Sequence, residues 1–406
     1  MSAENHRPAG SGWLICLMLV TFVIGTDDFI IAGILPEIAR DQQVSEAAAG
    51  QLVTVFSLTY AVAAPPLAVA TARLPRRPLV VGGLFGFALI NLLTAFAPGY
   101  PVLLVLRLAS ALVAASISPA VFGMAARLAA PDRVGRAVGV VAAGLTVSLF
   151  VGVPVGSVLG TAFGWRATFI AVALLTVAVA VANARLLPSL PGAPEIGVRA
   201  QLRILSRPAV LTCVLGTMMG ASGGLLVYTY IGPITEDLSG RGGTMLAVFI
   251  TVVGVAGALG TFAGGRLTDR WGADRTLVAA FVLMAGAITS LVVIGSGGQG
   301  SAPVGLTVVA LAAYGFSGWG FNPPMNTRAL RLAGAAGTEA VALNTSGLYV
   351  GISIAGAVGG GSVAAYGGHG GAVAAALLCL IALVMMTAFV WKFPSEKPAT
   401  EEQVTG

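Results

Sequence analysis

The chain has 406 residues, 57% of them apolar and 9% charged, with a formal net charge of +6. Soluble domains carry about 25% charged residues, so this composition excludes a soluble globular protein and points to a chain solvated by lipid. The three cysteines, Cys16, Cys213 and Cys379, lie far apart in apolar runs, in neither a disulfide framework nor a metal motif.

A helix needs about 20 residues to cross the hydrocarbon core. Runs of that kind predict twelve spans at roughly 13–36, 50–70, 79–97, 101–125, 137–162, 167–187, 209–234, 244–265, 276–296, 303–324, 338–363 and 371–392. The first run passes signal-peptide length without a small-residue cleavage pattern, so the first span is expected to be retained. A hydrophilic stretch from Pro188 to Pro208 divides the chain. It separates an N-terminal six-helix bundle (1–187), a linker (188–208) and a C-terminal six-helix bundle with a short tail (209–406).

The basic residues test this threading. With both termini cytoplasmic, Arg7, Arg73, Arg76, Arg77, Arg127, Arg133, Arg136, Arg185, Arg199, Arg203, Arg207, Arg266, Arg270, Arg275, Arg328, Arg331, Lys392 and Lys397 fall inside. Arg40, Arg166 and Arg241 fall outside and Arg107 within a span, which is the positive-inside rule strongly obeyed. The halves also match at one offset. Ile31–Ile38, containing Pro36, aligns with Tyr228–Thr235, containing Pro233, and Ala68–Arg73 aligns with Gly265–Arg270. Such duplicated units typically hold a substrate near the midplane between them.

Two acids stand inside the first span, Asp27 and Asp28. A charge at that depth costs about 2.5–3.5 kcal/mol on insertion scales, so it calls for proton handling, ligand binding or an ion pair. Residues at helical spacing from Asp28 are Thr21, Gly25 and Ala32, a small and polar stripe suited to a bundle interior. Those around Asp27 are Val20, Ile24, Ile31 and Ile34, a bulky apolar stripe. Neighbours on a helix point about 100° apart, which predicts different roles for the two. Burial and an adjacent carboxyl both favour the neutral acid, so Asp28 is expected to bind a proton. Asp27 is expected to tune it or to pair with an adjacent helix; the alternative is a permanently neutral, hydrogen-bonded pair.

Arg107 in the fourth span lies within roughly 3 Å of the depth of Asp28, counted at 1.5 Å per residue. A buried arginine needs a counter-ion, and these aspartates are the acids clearly at its depth. Asp28 and Arg107 are therefore expected to form an electrostatic couple that opens on protonation, the alternative being a purely structural ion pair. Aromatic and amide side chains at membrane depth, Phe56, Tyr60, Tyr228, Tyr230, Trp319, Asn322 and Asn344, are candidate substrate contacts. Asn322-Pro-Pro-Met-Asn326 should break the tenth span. His6 in the N-terminal tail and His369 in a glycine-rich outer loop are expected to be solvated.

Four stretches together carry a family likeness. They are Gly25–Pro36 with its acidic residue, Leu106–Ser110 around Arg107, Gly144 with Gly152-Val-Pro154-Val-Gly156, and Gly265-Arg-Leu-Thr-Asp269-Arg270-Trp-Gly272. Over nearly its whole length the chain resembles the twelve-helix drug:proton antiporters of the major facilitator superfamily. Within them it is most similar to bacterial chloramphenicol-resistance and arabinose-efflux-like exporters. The resemblance implies an all-α integral membrane fold of two six-helix repeats and makes Asp28 the family's acidic position, with Asp27 an addition. It assigns Gly144, Gly152, Pro154 and Gly156 to a helix contact that seals the cavity, and Gly265, Asp269, Arg270 and Gly272 to a cytoplasmic latch of the outward-open state. The first-half copy of that loop keeps Arg73, Arg76 and Arg77 but lacks the initial glycine and the acid.

The expected activity is proton-coupled efflux of a small organic molecule by alternating access, in the bacterial inner membrane. An importer or uncoupled facilitator is the alternative. No cofactor beyond the proton gradient, no metal, no nucleic acid and no catalysis are expected. The expected partners are a small-molecule substrate and the lipid bilayer, and the working unit is expected to be a monomer.

Overall fold

A computed structural model describes residues 12–130, 134–192, 203–242 and 244–395. Arg7, His6, Arg133, Arg199, Lys397 and residues 193–202 of the expected linker lie outside the described residues. Apolar runs bounded by short turns fold into helices throughout. They are α1 (Gly12–Asp41), α2 (Glu46–Thr71), α3 (Arg76–Ala95), α4 (Tyr100–Leu128), α5 (Val134–Val147), α6 (Val153–Phe163) and α7 (Trp165–Leu186). After the linker come α8 (Pro208–Thr229), α9 (Ile231–Ser239), α10 (Thr244–Trp271), α11 (Ala273–Gly295), α12 (Val304–Gly320), α13 (Asn322–Ala333) and α14 (Gly337–Lys392).

Local chemistry sets several ends. Ser45 caps α2 by accepting the Ala48 N–H at 3.1 Å, relieving one unpaired donor of the first turn. A π-helical turn at Ser148–Gly152 joins α5 to α6, with Pro154 just beyond it. The break expected at Asn322-Pro-Pro falls at Phe321, between α12 and α13. The first span continues past Pro36 to Asp41.

Among the described residues, eleven helices are long and apolar enough to cross a bilayer. The last, Ala340–Lys392, has 53 residues, more than twice one crossing, and Gly367 breaks it at φ 68°, ψ −167°. That backbone is open to glycine and strained for other residues. Gly347, Gly351 and Gly359 face Val214, Met218 and Leu226 in ascending order, whereas Cys379 and Met386 face Gly223 and Gly216 in descending order. The two legs of α14 therefore run antiparallel along α8, completing twelve crossings.

The halves meet as a repeat should. Pro36 of α1 lies against Gly232, beside its counterpart Pro233. The α2 helix packs on the first leg of α14, through Tyr60 on Tyr349 and Thr54 on Gly356. The π turn packs on α10, with Gly254 against Leu149 and Phe150. These cross-half contacts run from mid-helix to the end where α1 finishes. Among the described residues the hydrogen bond that joins the halves, Gln51 Nε2 to the Gly356 carbonyl at 3.3 Å, lies at that end too.

The arginine-rich end is organised within each half instead. Arg77 donates to the Ala184 carbonyl, Arg127 to Pro191 at 2.8 Å, and the Arg76 N–H to Leu190 at 2.9 Å. In the second half Arg328, fully buried, pairs with Asp274 and donates to the carbonyls of Phe389 and Phe393. Arg77 and Arg328 each meet a carbonyl in the last turn of the sixth crossing of its own half.

Candidate functional site

The α1 helix crosses the centre of the first half, and its doublet is enclosed from several sides. Asp27, Asp28 and Arg107 are each 1% exposed, so the site is shut off from solvent and lipid alike. Arg107, on α4, places Nη1 at 2.9 Å from Asp27 Oδ2 and 3.2 Å from the Asp27 carbonyl. Its guanidinium carbon lies 4.5 Å from the centre of the Phe56 ring on α2, a cation–π contact on a desolvated face. Asn91, buried on α3, gives Asp27 a second polar neighbour.

The expected pairing of Arg107 with Asp28 is not what forms. Arg107 takes Asp27, the residue on the bulky stripe, through both its carboxylate and its carbonyl. The small stripe of Asp28 is occupied elsewhere: Gly25 lies against Leu145 and Ser148, and Thr21 donates to the Val141 carbonyl. A stripe read as facing a cavity is thus in part the seat of α5.

Asp28 stands apart. Neither of its buried carboxyl oxygens receives a well-aligned hydrogen bond, although the Tyr349 hydroxyl comes within reach of them. Its electrostatic neighbours are Arg107, Asp27 and the tyrosines Tyr60, Tyr228 and Tyr349. Tyr60 comes from α2 of the first half; Tyr228 of α8 and Tyr349 of α14 come from the second. Tyr60 and Tyr349 stack with ring centres 4.0 Å apart. Tyr228 meets Phe29 edge-on at 5.9 Å and Trp319 at 5.5 Å. The Tyr228 hydroxyl, the Ser57 and Thr54 hydroxyls, and Nε and Nη2 of Arg107 are further buried polar atoms without a partner. Unpaired buried polar groups are costly, so the Asp28 carboxyl, with the unpaired Tyr228 hydroxyl and Arg107 nitrogens in its surroundings, is suited to a change of protonation or to a ligand.

The structure therefore brings together Asp27, Asp28, Arg107, Phe56, Tyr60, Tyr228 and Trp319. The other candidates lie elsewhere or are engaged. Tyr230 sits at the far end of the interface, against Gly50, and donates to Gly356 at 2.8 Å. Asn344 accepts from Thr217 at 2.7 Å and donates to Asn326 at 3.2 Å, so its amide is satisfied within the second half. Asn322 donates to Trp319 at 3.3 Å. No motif in the sequence flags Tyr349 or Asn91.

The glycines expected to seal helices do pack at contact distance. Side-chain positions at Gly144, Gly152 and Gly156 are filled by Thr21 and Met18, by Thr26, and by Ile30 and Thr168. In the second-half loop, Asp269 and Arg270 are exposed, and neither has a hydrogen bond or ion pair among the described residues. Gly272, at φ 85°, turns the chain into α11, and the acid that engages is Asp274 two residues on. Arg76 is buried and Arg77 bonded, so the first-loop arginines belong to the packing of their own half. Arg73 has its backbone against Gly192. His369, expected to be solvated, is half-buried; its N–H donates to Asp237 at 3.1 Å and its Nδ1 is enclosed without a partner.

Two repeated six-crossing halves around a buried, ionisable midplane site define a polytopic membrane transporter. The chain belongs to the Major Facilitator Superfamily, whose family model matches residues 17–339. It is 33% identical over 312 residues to the MFS-type transporter YbcL of Bacillus subtilis, covering 77% of this chain and 78% of that one. It is 29% identical over 380 residues to the inner membrane transport protein YdhP of Escherichia coli, covering 92% and 95%. A chloramphenicol resistance protein of Streptomyces lividans is 33% identical over 280 residues, covering 67% and 71%. Among solved structures, a bacterial homologue of the human lysosomal transporter Spinster, inward-facing and unoccupied, superposes with a TM-score of 0.74 at 16% identity. That match covers 98% of this chain and all of that one.

Proposed function

We propose that this transporter is a proton-coupled exporter of small organic molecules in the bacterial inner membrane, with both termini cytoplasmic and Asp28 as its proton site. The observation that carries the reading is the division of labour in the doublet. Asp27 has its charge matched by Arg107 at 2.9 Å, whereas Asp28 has two buried oxygens, no ion pair and no well-aligned hydrogen bond. A carboxyl so placed is stable as the neutral acid and costly as the anion, unless water, a proton or a ligand reaches it.

Opening toward the outside would admit a proton to Asp28. Opening toward the cytoplasm would let substrate enter among Phe56, Tyr60, Tyr228 and Trp319 as the proton leaves. Because proton and substrate exclude each other at one midplane site, an inward proton gradient drives efflux. Cross-half contacts at the end where α1 finishes close the outer side in the present conformation. When the arginine-rich ends approach instead, Asp269 and Arg270 are free to latch them.

The likeness to the chloramphenicol resistance protein supports an amphipathic drug as substrate, and chloramphenicol heads the panel to be tried. Everted membrane vesicles containing the chain should load such a substrate when their lumen is acidified, and not when the gradient is collapsed. Loading that ignores the gradient would refute proton coupling.

A further inference from the structure

Asp28 belongs to the first half, yet much of the polar surface around it comes from the second. Tyr349 and Tyr228 both have Asp28 in their electrostatic surroundings, from α14 and α8 respectively. The Tyr349 hydroxyl comes within hydrogen-bonding reach of the Asp28 carboxyl without a well-aligned bond, and the Tyr228 hydroxyl in the same surroundings has no partner. The ring positions are fixed independently of those hydroxyls. Tyr349 is held by its stack on Tyr60, and Tyr228 by Phe29 on one side and Trp319 on the other. Because Tyr60 and Phe29 belong to the first half, a small rotation of one half against the other shears these ring contacts and changes the hydroxyl-to-carboxyl distances with them.

We propose that Tyr349 and Tyr228 are the groups through which the second half reads the charge of Asp28. The anion accepts their hydroxyl hydrogens and ties the halves at the midplane; the neutral acid weakens those bonds and releases the second half to rotate. Charge-assisted hydrogen bonds are roughly twice as strong as neutral ones, so a single proton changes the strength of the tie. The two tyrosines act through Asp28 as positioning residues.

The other groups facing Asp28 do not supply such a link. Asp27 and Arg107 neutralise each other and lie in the first half, as does Tyr60. The α5 and π-turn segments meet α1 there with Leu145, Ser148 and glycines, none of them ionisable.

The inference rests on Asp28 being the proton site, and the test separates the two ideas. Spin labels would be placed at Leu74→Cys and Leu330→Cys, exposed positions near the arginine-rich ends of the two halves, with the three buried native cysteines retained. Inter-label distances would be compared at acidic and alkaline pH in five backgrounds: unsubstituted, Asp28→Asn, Tyr349→Phe, Tyr228→Phe, and Tyr349→Phe with Tyr228→Phe. The distance distribution should shift with pH in the unsubstituted protein. The shift should be lost in the double tyrosine variant, while that variant still releases a proton on a jump to alkaline pH. A shift that persists in the double variant but vanishes in Asp28→Asn overturns the inference alone. A shift that persists in Asp28→Asn overturns the proton site itself. Should the double variant not be monodisperse, the single variants decide, and an unchanged shift in both Tyr349→Phe and Tyr228→Phe overturns the inference.

Discussion

Arg107 Nη1 closes a 2.9 Å ion pair with Asp27, and the next residue along the same helix, Asp28, is left with a buried carboxyl that has no ion pair and no well-aligned hydrogen bond. One acid is matched in charge by a fixed base, and the other is available to change its own charge. The transport reading rests on that asymmetry.

Breaking the pair should cost stability rather than only function. Removing one partner of a buried ion pair costs about 3–5 kcal/mol, because the other is left uncompensated. Arg107→Ala should therefore lower the melting temperature strongly, and combining it with Asp27→Asn should recover much of the loss. Thermal unfolding in detergent of the singles and the double measures the coupling.

A second buried pair should behave in the same way. Arg328 and Asp274 join α13 to α11, and Ser395 donates to Asp274 through both its N–H (2.7 Å) and its hydroxyl (2.8 Å). Arg328→Met should destabilise the protein by about 3–5 kcal/mol and loosen the end of α14. Limited proteolysis at the residues after Phe393 should become faster by the same change.

The twelve crossings were readable because each apolar run is long enough to span lipid and the arginines fall on alternate turns. The matched prolines, Pro36 and Pro233, mark the repeat, and Pro36 packs against Gly232, the neighbour of Pro233 in the chain. The depth match of Arg107 to the doublet also held, because rise along a helix is a fixed quantity. Which aspartate it takes was not readable. Thr21 and Gly25 suit a cavity wall or a close helix contact equally, and here they serve the contact with α5. Arg328 reads as one more topological charge, and nothing in its spacing points to Asp274, 54 residues away. Tyr349 lies in a glycine-rich apolar run whose partners are fixed only when the two halves dock.

The glycine seam between α1 and α5 can be probed with a matched control. A methyl group at Gly144 would overlap the Met18 carbonyl and Thr21, whereas one at Gly139 meets nothing within 4 Å. Overpacking a well-filled contact costs about 1–3 kcal/mol. Gly144→Ala should lower both the melting temperature and substrate transport, and Gly139→Ala should change neither by a measurable amount.

Removing the Tyr228 hydroxyl should leave stability unchanged. That hydroxyl is buried and unpaired, so Tyr228→Phe deletes a desolvated group without breaking a bond. Its melting temperature should equal or exceed that of the unsubstituted protein, as differential scanning fluorimetry would record.

The central claim is that the transported proton sits on Asp28, and proton release on substrate binding tests it most directly. Purified transporter in weakly buffered solution would be mixed with its substrate while a pH-sensitive dye is followed. The unsubstituted protein and Asp27→Asn should each release protons as substrate binds, and Asp28→Asn should bind substrate and release none. Equal release from Asp28→Asn and the unsubstituted protein would contradict the account.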